Sequence, residues 1–261
     1  MDDVEWRDTI AFHRLSSKAP NILEVLYQHT TQCRPLHVLT EDFDEYVAKP
    51  LWNLPPPNRY QVTAEWVVGR LGKLMSAPVP AVQILRLREN LKLEYDNPDT
   101  GSTETHRFVV GFCYGSEFLP GLYDSYDVER LDLNRERFAQ LVILYGWMEA
   151  SDRQYSYEGK DRRVYSCDHG DFLSAKSPLS TWPEDADFES VPQADLRIVA
   201  AVSLTPDELA SAARGLRRVT ERDIIATIAM IPEEWGITIQ EREHLRSYLV
   251  RRRHAILGMY P

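Results

Sequence analysis

Between residues 61 and 75, apolar side chains return every three to four positions. Val62, Trp66, Val67, Leu71 and Leu74 fall on one face at 3.6-residue spacing. This predicts a helix over 61–75, stopped by Pro78 and Pro80. Before it the patterns are shorter. Residues 22–27 form an apolar run fitting a strand or one helical turn, 36–39 read as a strand, 41–44 as a turn, and Tyr46-Val47-Ala48-Lys49 alternates as a strand does. The result is a hairpin whose second strand ends on Lys49. Pro55-Pro56-Pro57 is a stiff linker. Further strands are expected over 81–87, 91–95 and 106–114, the last apolar through Phe108-Val109-Val110, with a Pro/Gly turn at 97–102.

The pattern then changes. Residues 134–148 make an amphipathic helix through Phe138, Leu141, Val142, Leu144 and Tyr145, and 174–191, rich in Ser, Pro and acid, read as a surface loop. From 205 the chain reads as helical almost to its end. Thr205-Pro206-Asp207-Glu208 opens one helix with Pro in its first turn, Thr220 opens a second and Thr238 a third. The order predicts an α+β protein with a small β-rich lobe over 1–115 and a mainly helical lobe over 116–261.

At 261 residues the chain can bury a substantial core. Its net charge of −10 argues against broad binding to nucleic acid or anionic membranes. Arg251-Arg252-Arg253 reads as the solvated end of a helix. Cys33, Cys113 and Cys167 are scattered and odd in number, which fits a reducing compartment. The acidic start MDDVEWRDTI is no secretory signal, and no apolar run approaches the ~20 residues of a membrane span. The expected setting is the cytoplasm, with a protein substrate or partner and no internal repeat.

The richest chemistry lies at 147–173, WMEASDRQYSYEGKDRRVYSCDHGDFL. It holds two acid-centred turns, Ser151-Asp152-Arg153 and Cys167-Asp168-His169-Gly170, with the strand-like run 163–167 before the second. Kinases work by position and charge. A Lys neutralises nucleotide phosphates, a helix Glu holds that Lys, a loop Asp orients the attacking hydroxyl, and a second Asp with an amide side chain holds Mg²⁺. Lys49, Glu65, Asp152 and Asp168 occur in that order on the appropriate kinds of element. Each alone also fits an ordinary surface charge or turn.

Three segments resemble the HipA-like kinases of bacteria, in particular their small stand-alone branch. Tyr46–Lys49 with Ala64-Glu65-Trp66-Val67 and the run from Leu71 to Pro80 is similar to that family's Lys strand, Asn-Glu helix and Pro-rich exit. Trp147-Met148 through Asp152-Arg153, then Cys167-Asp168-His169-Gly170-Asp171-Phe172, resembles its catalytic core. Ile231-Pro232-Glu233-Glu234-Trp235 and Leu249–Arg253 resemble its helical tail. The resemblance implies a two-lobed protein-kinase-like fold, ATP and Mg²⁺ as cofactors, and transfer to a protein Ser/Thr hydroxyl. It implies that Lys49 contacts the phosphates and pairs with Glu65, that Asp152 is the base, and that Asp168 is the metal ligand.

The chain departs from the family at several positions. The phosphate loop is Thr30-Thr31-Gln32-Cys33, with hydroxyls and no Gly. Ala64 and Ala150 replace Asn, and Tyr157 stands where a metal-binding Asn is usual, with Ser156 beside it as the substitute oxygen. Two readings follow: a kinase with an altered metal shell, or a pseudokinase that senses nucleotide or binds a protein without catalysis. Other chemistries lack their parts. Cys167 and His169 have no second Cys/His pair at zinc spacing, and Gly115-Ser116 lacks the frame of a nucleophile elbow. Gly69-Arg70-Leu71-Gly72 lies within the predicted helix and is no phosphate loop.

Overall fold

A computed structural model describes residues 1–16, 18–29, 34–51, 59–96, 103–123, 131–151, 155–159, 161–173 and 195–261. Helix α1 (Asp3–Ser16) is followed by strands β1 (Ile22–Gln28), β2 (Leu36–Thr40) and β3 (Glu45–Pro50), then helix α2 (Arg59–Leu74). Next come β4 (Val82–Leu87), a separate hairpin of β5 (Lys92–Asp96) and β6 (Thr103–Arg107), and β7 (Gly111–Glu117). Five of these strands form one antiparallel sheet in the order β1-β2-β3-β7-β4. The sheet curls until its edges meet: Arg86 N–H donates to the Pro20 carbonyl at 3.0 Å. Inside the curl, Ile22, Val25, Leu36, Val38, Ala48, Leu85, Leu87, Phe108 and Cys113 form a core of their own.

Alternation along the strands decides what faces out of that core. In β3, Ala48 and Pro50 are buried inward, so Val47 and Lys49 point to the opposite face. In β7, Cys113 is buried inside and Tyr114 and Ser116 share the outer face with Lys49. Helix α2 packs there, against β4 and β7. Gly69 permits the close approach: a Cβ at that position would sit 2.5 Å from Val82 Cγ1. Val62, Trp66, Val67 and Leu71 are buried as the periodicity predicts, while Leu74 is exposed and Met75 takes its place in the core.

The second half contains α3 (Arg135–Met148), a small sheet of β8 (Leu122–Tyr123), β9 (Tyr155–Glu158) and β10 (Val164–Ser166), and helices α4 (Leu196–Val202), α5 (Pro206–Arg218), α6 (Glu221–Ala229) and α7 (Ile239–Met259). Helix α3 is central. Every residue from Leu141 to Met148 is buried, so it is wrapped on all sides. Its C-terminal carbonyls are satisfied by the buried Arg252 of α7, which donates to the oxygens of Gly146 at 2.6 Å and Trp147 at 2.8 Å. Thr205, Thr220 and Thr238 each close a reciprocal capping box at the starts of α5, α6 and α7, as their spacing predicts.

Two indoles join the halves. Trp66 of α2 donates to the Thr227 carbonyl of α6 at 2.8 Å, and Trp235, in the turn after α6, donates to the Phe112 carbonyl of β7 at 3.2 Å. Trp235 is therefore a core residue that also ties sheet to helices.

The structure differs from the sequence expectation in several places. The single strand over 106–114 is two, β6 and β7, broken at 108–110. Phe108 turns into the core, and Val109 and Val110 are exposed. Helices α1 and α4 and strand β9 were not anticipated. Helix α1 packs on α6, and its Trp6 donates to Glu243 of α7 at 2.9 Å. Position 115 lies inside β7. The 55–57 linker, the 97–102 turn and the 174–191 loop lie outside the described residues.

Candidate active site

Lys49 Nζ is shared between two carboxylates. It pairs with Glu65 Oε1 from α2 and with Asp168 Oδ1 at 2.6 Å. Each element has a reason to deliver its residue there. Lys49 is on the cleft face of β3 by strand alternation, and Glu65 lies on α2 immediately before Trp66, whose indole anchors the helix. Asp168 follows β10 in a turn whose backbone is left-handed at φ 57°, a conformation that Asp tolerates better than most residues. The β10 strand is held to the chain leaving α2: Ser166 N–H donates to the Pro78 carbonyl at 2.8 Å.

The three charges differ in setting. The Glu65 side chain is 2% exposed, Lys49 12% and Asp168 50%. Burial works against the Lys49 ammonium, yet Glu65 and Asp168 together hold it well above its usual range. Burial lifts the Glu65 carboxyl, with Lys49 pulling the other way. Asp168 is partly desolvated, but Lys49 beside it brings its carboxyl below the usual range. Glu65 Oε2 also accepts the backbone N–H of His169 at 3.0 Å. Burial leaves that imidazole neutral, pushed down to about 3.

A cleft of about 480 Å³ opens beside this trio. Lys49, Glu65, Cys167, Asp168 and His169 line it together with Val47, Tyr114, Phe118 and Leu119. Its size suits a nucleotide-sized ligand, and its mix of apolar walls with a few converging charges is that of a ligand site. A larger hollow, about 690 Å³, adjoins Trp66 and Ile231 but contains neither Lys49 nor Asp168, so the lysine trio borders the smaller one.

The other nominated residues stand as follows. Asp152 and the loop residues Thr30, Thr31 and Gln32 lie outside the described residues. The segment leading to Asp152 is tied to the Asp168 turn: Leu173 N–H donates to the Met148 carbonyl at 2.9 Å, and Ser151 Oγ bonds the Asp171 carbonyl. Glu149, with φ 50°, makes the left-handed exit from α3 that starts this segment. Ser156 and Tyr157 are in β9, opposite Tyr165 and Val164 of β10. Among the described residues no group of three His, Cys, Asp or Glu is poised to hold a metal. Asp168 fits Mg²⁺ as a single hard carboxylate, since that ion completes its shell with water and phosphate oxygens.

Sequence reasoning missed two contacts around the trio. Gln61, one turn before Glu65, donates to Asp171 Oδ1 at 3.1 Å, and its helical spacing from Glu65 was the available signal. The His169 contact with Glu65 had no signal beyond adjacency to Asp168.

No family model matches the chain, and no curated protein does. Among solved structures it is similar to the proinflammatory kinase CtkA of Helicobacter pylori, with a TM-score of 0.58 and 10% identity, covering 92% of this chain and 99% of that one. It also aligns with the Golgi casein kinase solved with Mn/ADP bound, with a TM-score of 0.43 and 10% identity over 100% of this chain and 77% of that one, a likeness too distant to argue from. The first likeness shows the fold. The protein has the two-lobed α+β architecture of kinases, with a small antiparallel-sheet lobe and a helical one. No helix among the described residues is long and apolar enough to cross a membrane.

Proposed function

We propose that this protein is a HipA-like kinase that transfers the γ-phosphoryl group of ATP to a Ser or Thr hydroxyl of a protein in the cytoplasm. The observation that carries the reading is the shared lysine: Lys49 lies between a buried helix Glu and a half-exposed Asp at the edge of a cleft. Phosphoryl transfer needs a cation that can be lent to phosphate and a fixed partner that keeps it aimed. Glu65 is the fixed partner. Asp168 is the exchangeable one: it would hold the metal, and Lys49 would hold phosphate in its place. Mg²⁺, when bound, neutralises charge on the β- and γ-phosphates.

Asp152 accepts the proton of the attacking hydroxyl in this reading, and Thr30, Thr31 and Gln32 cradle the phosphates. The motif resemblance supports these roles. Ser156 supplies the oxygen that Asn supplies in HipA-like proteins. A second reading, a pseudokinase that binds nucleotide or a partner protein without catalysis, is favoured by Tyr157. Its place in β9 puts a strand residue where the family has its amide ligand.

Thermal unfolding with and without ATP·Mg²⁺, followed by incubation with labelled ATP, tests the proposal. Stabilisation by ATP·Mg²⁺ with label transferred to protein, and label abolished in Asp152→Ala, is the expected outcome. Stabilisation without label leaves the pseudokinase. No stabilisation at millimolar nucleotide rejects the kinase and the nucleotide-sensing pseudokinase, and leaves only a partner-binding pseudokinase.

A further inference from the structure

Behind the lysine trio runs a line of buried polar side chains that the chemistry above does not use. The Tyr145 hydroxyl of α3 bonds Ser166 Oγ at 2.8 Å, and Ser166 Oγ bonds His169 Nε2 at 2.9 Å. The other ring nitrogen, Nδ1, is buried with no hydrogen-bond partner among the described residues and lies 3.9 Å from Glu65 Oε2. That same oxygen takes the backbone N–H of His169.

The neighbours choose between the two forms of the neutral ring. If Nε2 carries the proton, the Nδ1 lone pair faces the Glu65 carboxylate, and two acceptors oppose each other away from water. If Nδ1 carries it, the Ser166 hydroxyl donates to Nε2, the Tyr145 hydroxyl donates to Ser166 Oγ, and the Nδ1–H points at the carboxylate. Only the second form gives each of these atoms a complementary neighbour.

We propose that His169 is a positioning residue: its backbone N–H and its Nδ1–H together hold the Glu65 carboxylate against Lys49, and Tyr145 and Ser166 fix the ring in the form that does so. At 3.9 Å the ring contact is electrostatic, or closes through one water. Tyr145 and Ser166 belong to the helical half and Glu65 to the helix on the sheet, so the line sets the lysine clamp from the other half of the molecule. The alternative is packing alone, because His169 meets Phe172 edge-to-face with ring centroids 5.0 Å apart. The functional consequence rests on the kinase reading, whereas the proton's position does not.

Long-range ¹H–¹⁵N correlation spectra of histidine-labelled protein, with His169 assigned by its loss in His169→Asn, read the proton directly. Protonated Nδ1 and bare Nε2 are expected, and a proton on Nε2 overturns the proposal whatever the protein's activity. Nucleotide binding supplies the second measurement. His169→Asn, whose amide nitrogen falls where Nδ1 does, retains ATP·Mg²⁺ affinity. His169→Phe, which keeps the ring and loses both nitrogens, binds about tenfold more weakly. Equal affinity in His169→Phe and wild type reduces the residue to packing and overturns the proposal. A wild type that binds no ATP·Mg²⁺ rejects the kinase reading and leaves the spectrum to decide the role of His169.

Discussion

Lys49 and Asp168 are 119 positions apart in the chain and 2.6 Å apart in space. A strand of the sheet half and a turn of the helical half meet at this contact. The difference in exposure between the lysine's two acids, 2% for Glu65 and 50% for Asp168, separates a buried partner from one that solvent reaches.

Removing the cation should therefore cost stability chiefly through Glu65. Lys49→Met strands a buried carboxylate, and breaking a buried pair typically costs about 3–5 kcal/mol. The double variant Lys49→Met/Glu65→Leu should recover most of that loss. Urea midpoints of the three proteins decide it. Equal destabilisation of the single and double variants would show that the pair is not the source.

Asp168→Asn should leave the fold intact, since Asn also accepts the left-handed backbone at this position. ATP·Mg²⁺ should no longer raise its melting temperature. A melting curve that still responds as wild type does would remove Asp168 from the metal site.

Two glycines give a packing test with an internal control. In α5 a Cβ on Gly215 would sit 2.3 Å from the Met75 carbonyl oxygen, whereas one on Gly258 in α7 would meet nothing within 4 Å among the described residues. Gly215→Ala should destabilise by about 1–3 kcal/mol despite the better helix propensity of Ala. Gly258→Ala should be neutral or stabilise by up to about 1 kcal/mol. Chemical denaturation of both variants compares them directly.

Glu243 supplies a pH test. Its burial favours the neutral acid, but hydrogen bonds from Arg246, Trp6 and the N-terminal amine outweigh this and hold the carboxyl at about 2 instead of 4.5. A depressed folded-state value means stability that is present above pH 4.5 and lost as pH falls towards 2. Glu243→Gln should melt a few degrees below wild type at pH 7, for a loss of about 1 kcal/mol after solvent screening. The gap should narrow as the pH drops through that window. A gap that stays constant with pH would assign the effect to packing.

The helical half was legible because its signals are local. Thr205, Thr220 and Thr238 each precede an acid by three residues, and that spacing alone forms a capping box. Helix α1 was not legible, because it buries few apolar side chains: Trp6 and Ile10 are inside while Val4 and Phe12 are exposed. The break between β6 and β7 was hidden by a continuous apolar run of which only Phe108 is buried. At the site, element type and order nominated Lys49, Glu65 and Asp168, and the fold brings them together. The ring of His169 was out of reach. Its environment exists only after Tyr145, Ser166 and Glu65 have converged from three separate elements.

The indoles of Trp66 and Trp235 make the molecule its own fluorimeter. Each donates its N–H across the junction, to Thr227 and to Phe112. Rotation of one half against the other breaks these bonds and wets rings that are now dry, which moves their emission to longer wavelength. Under the kinase reading, any hinge motion on nucleotide binding would be timed this way by stopped flow, in a variant whose other four tryptophans are replaced by Phe.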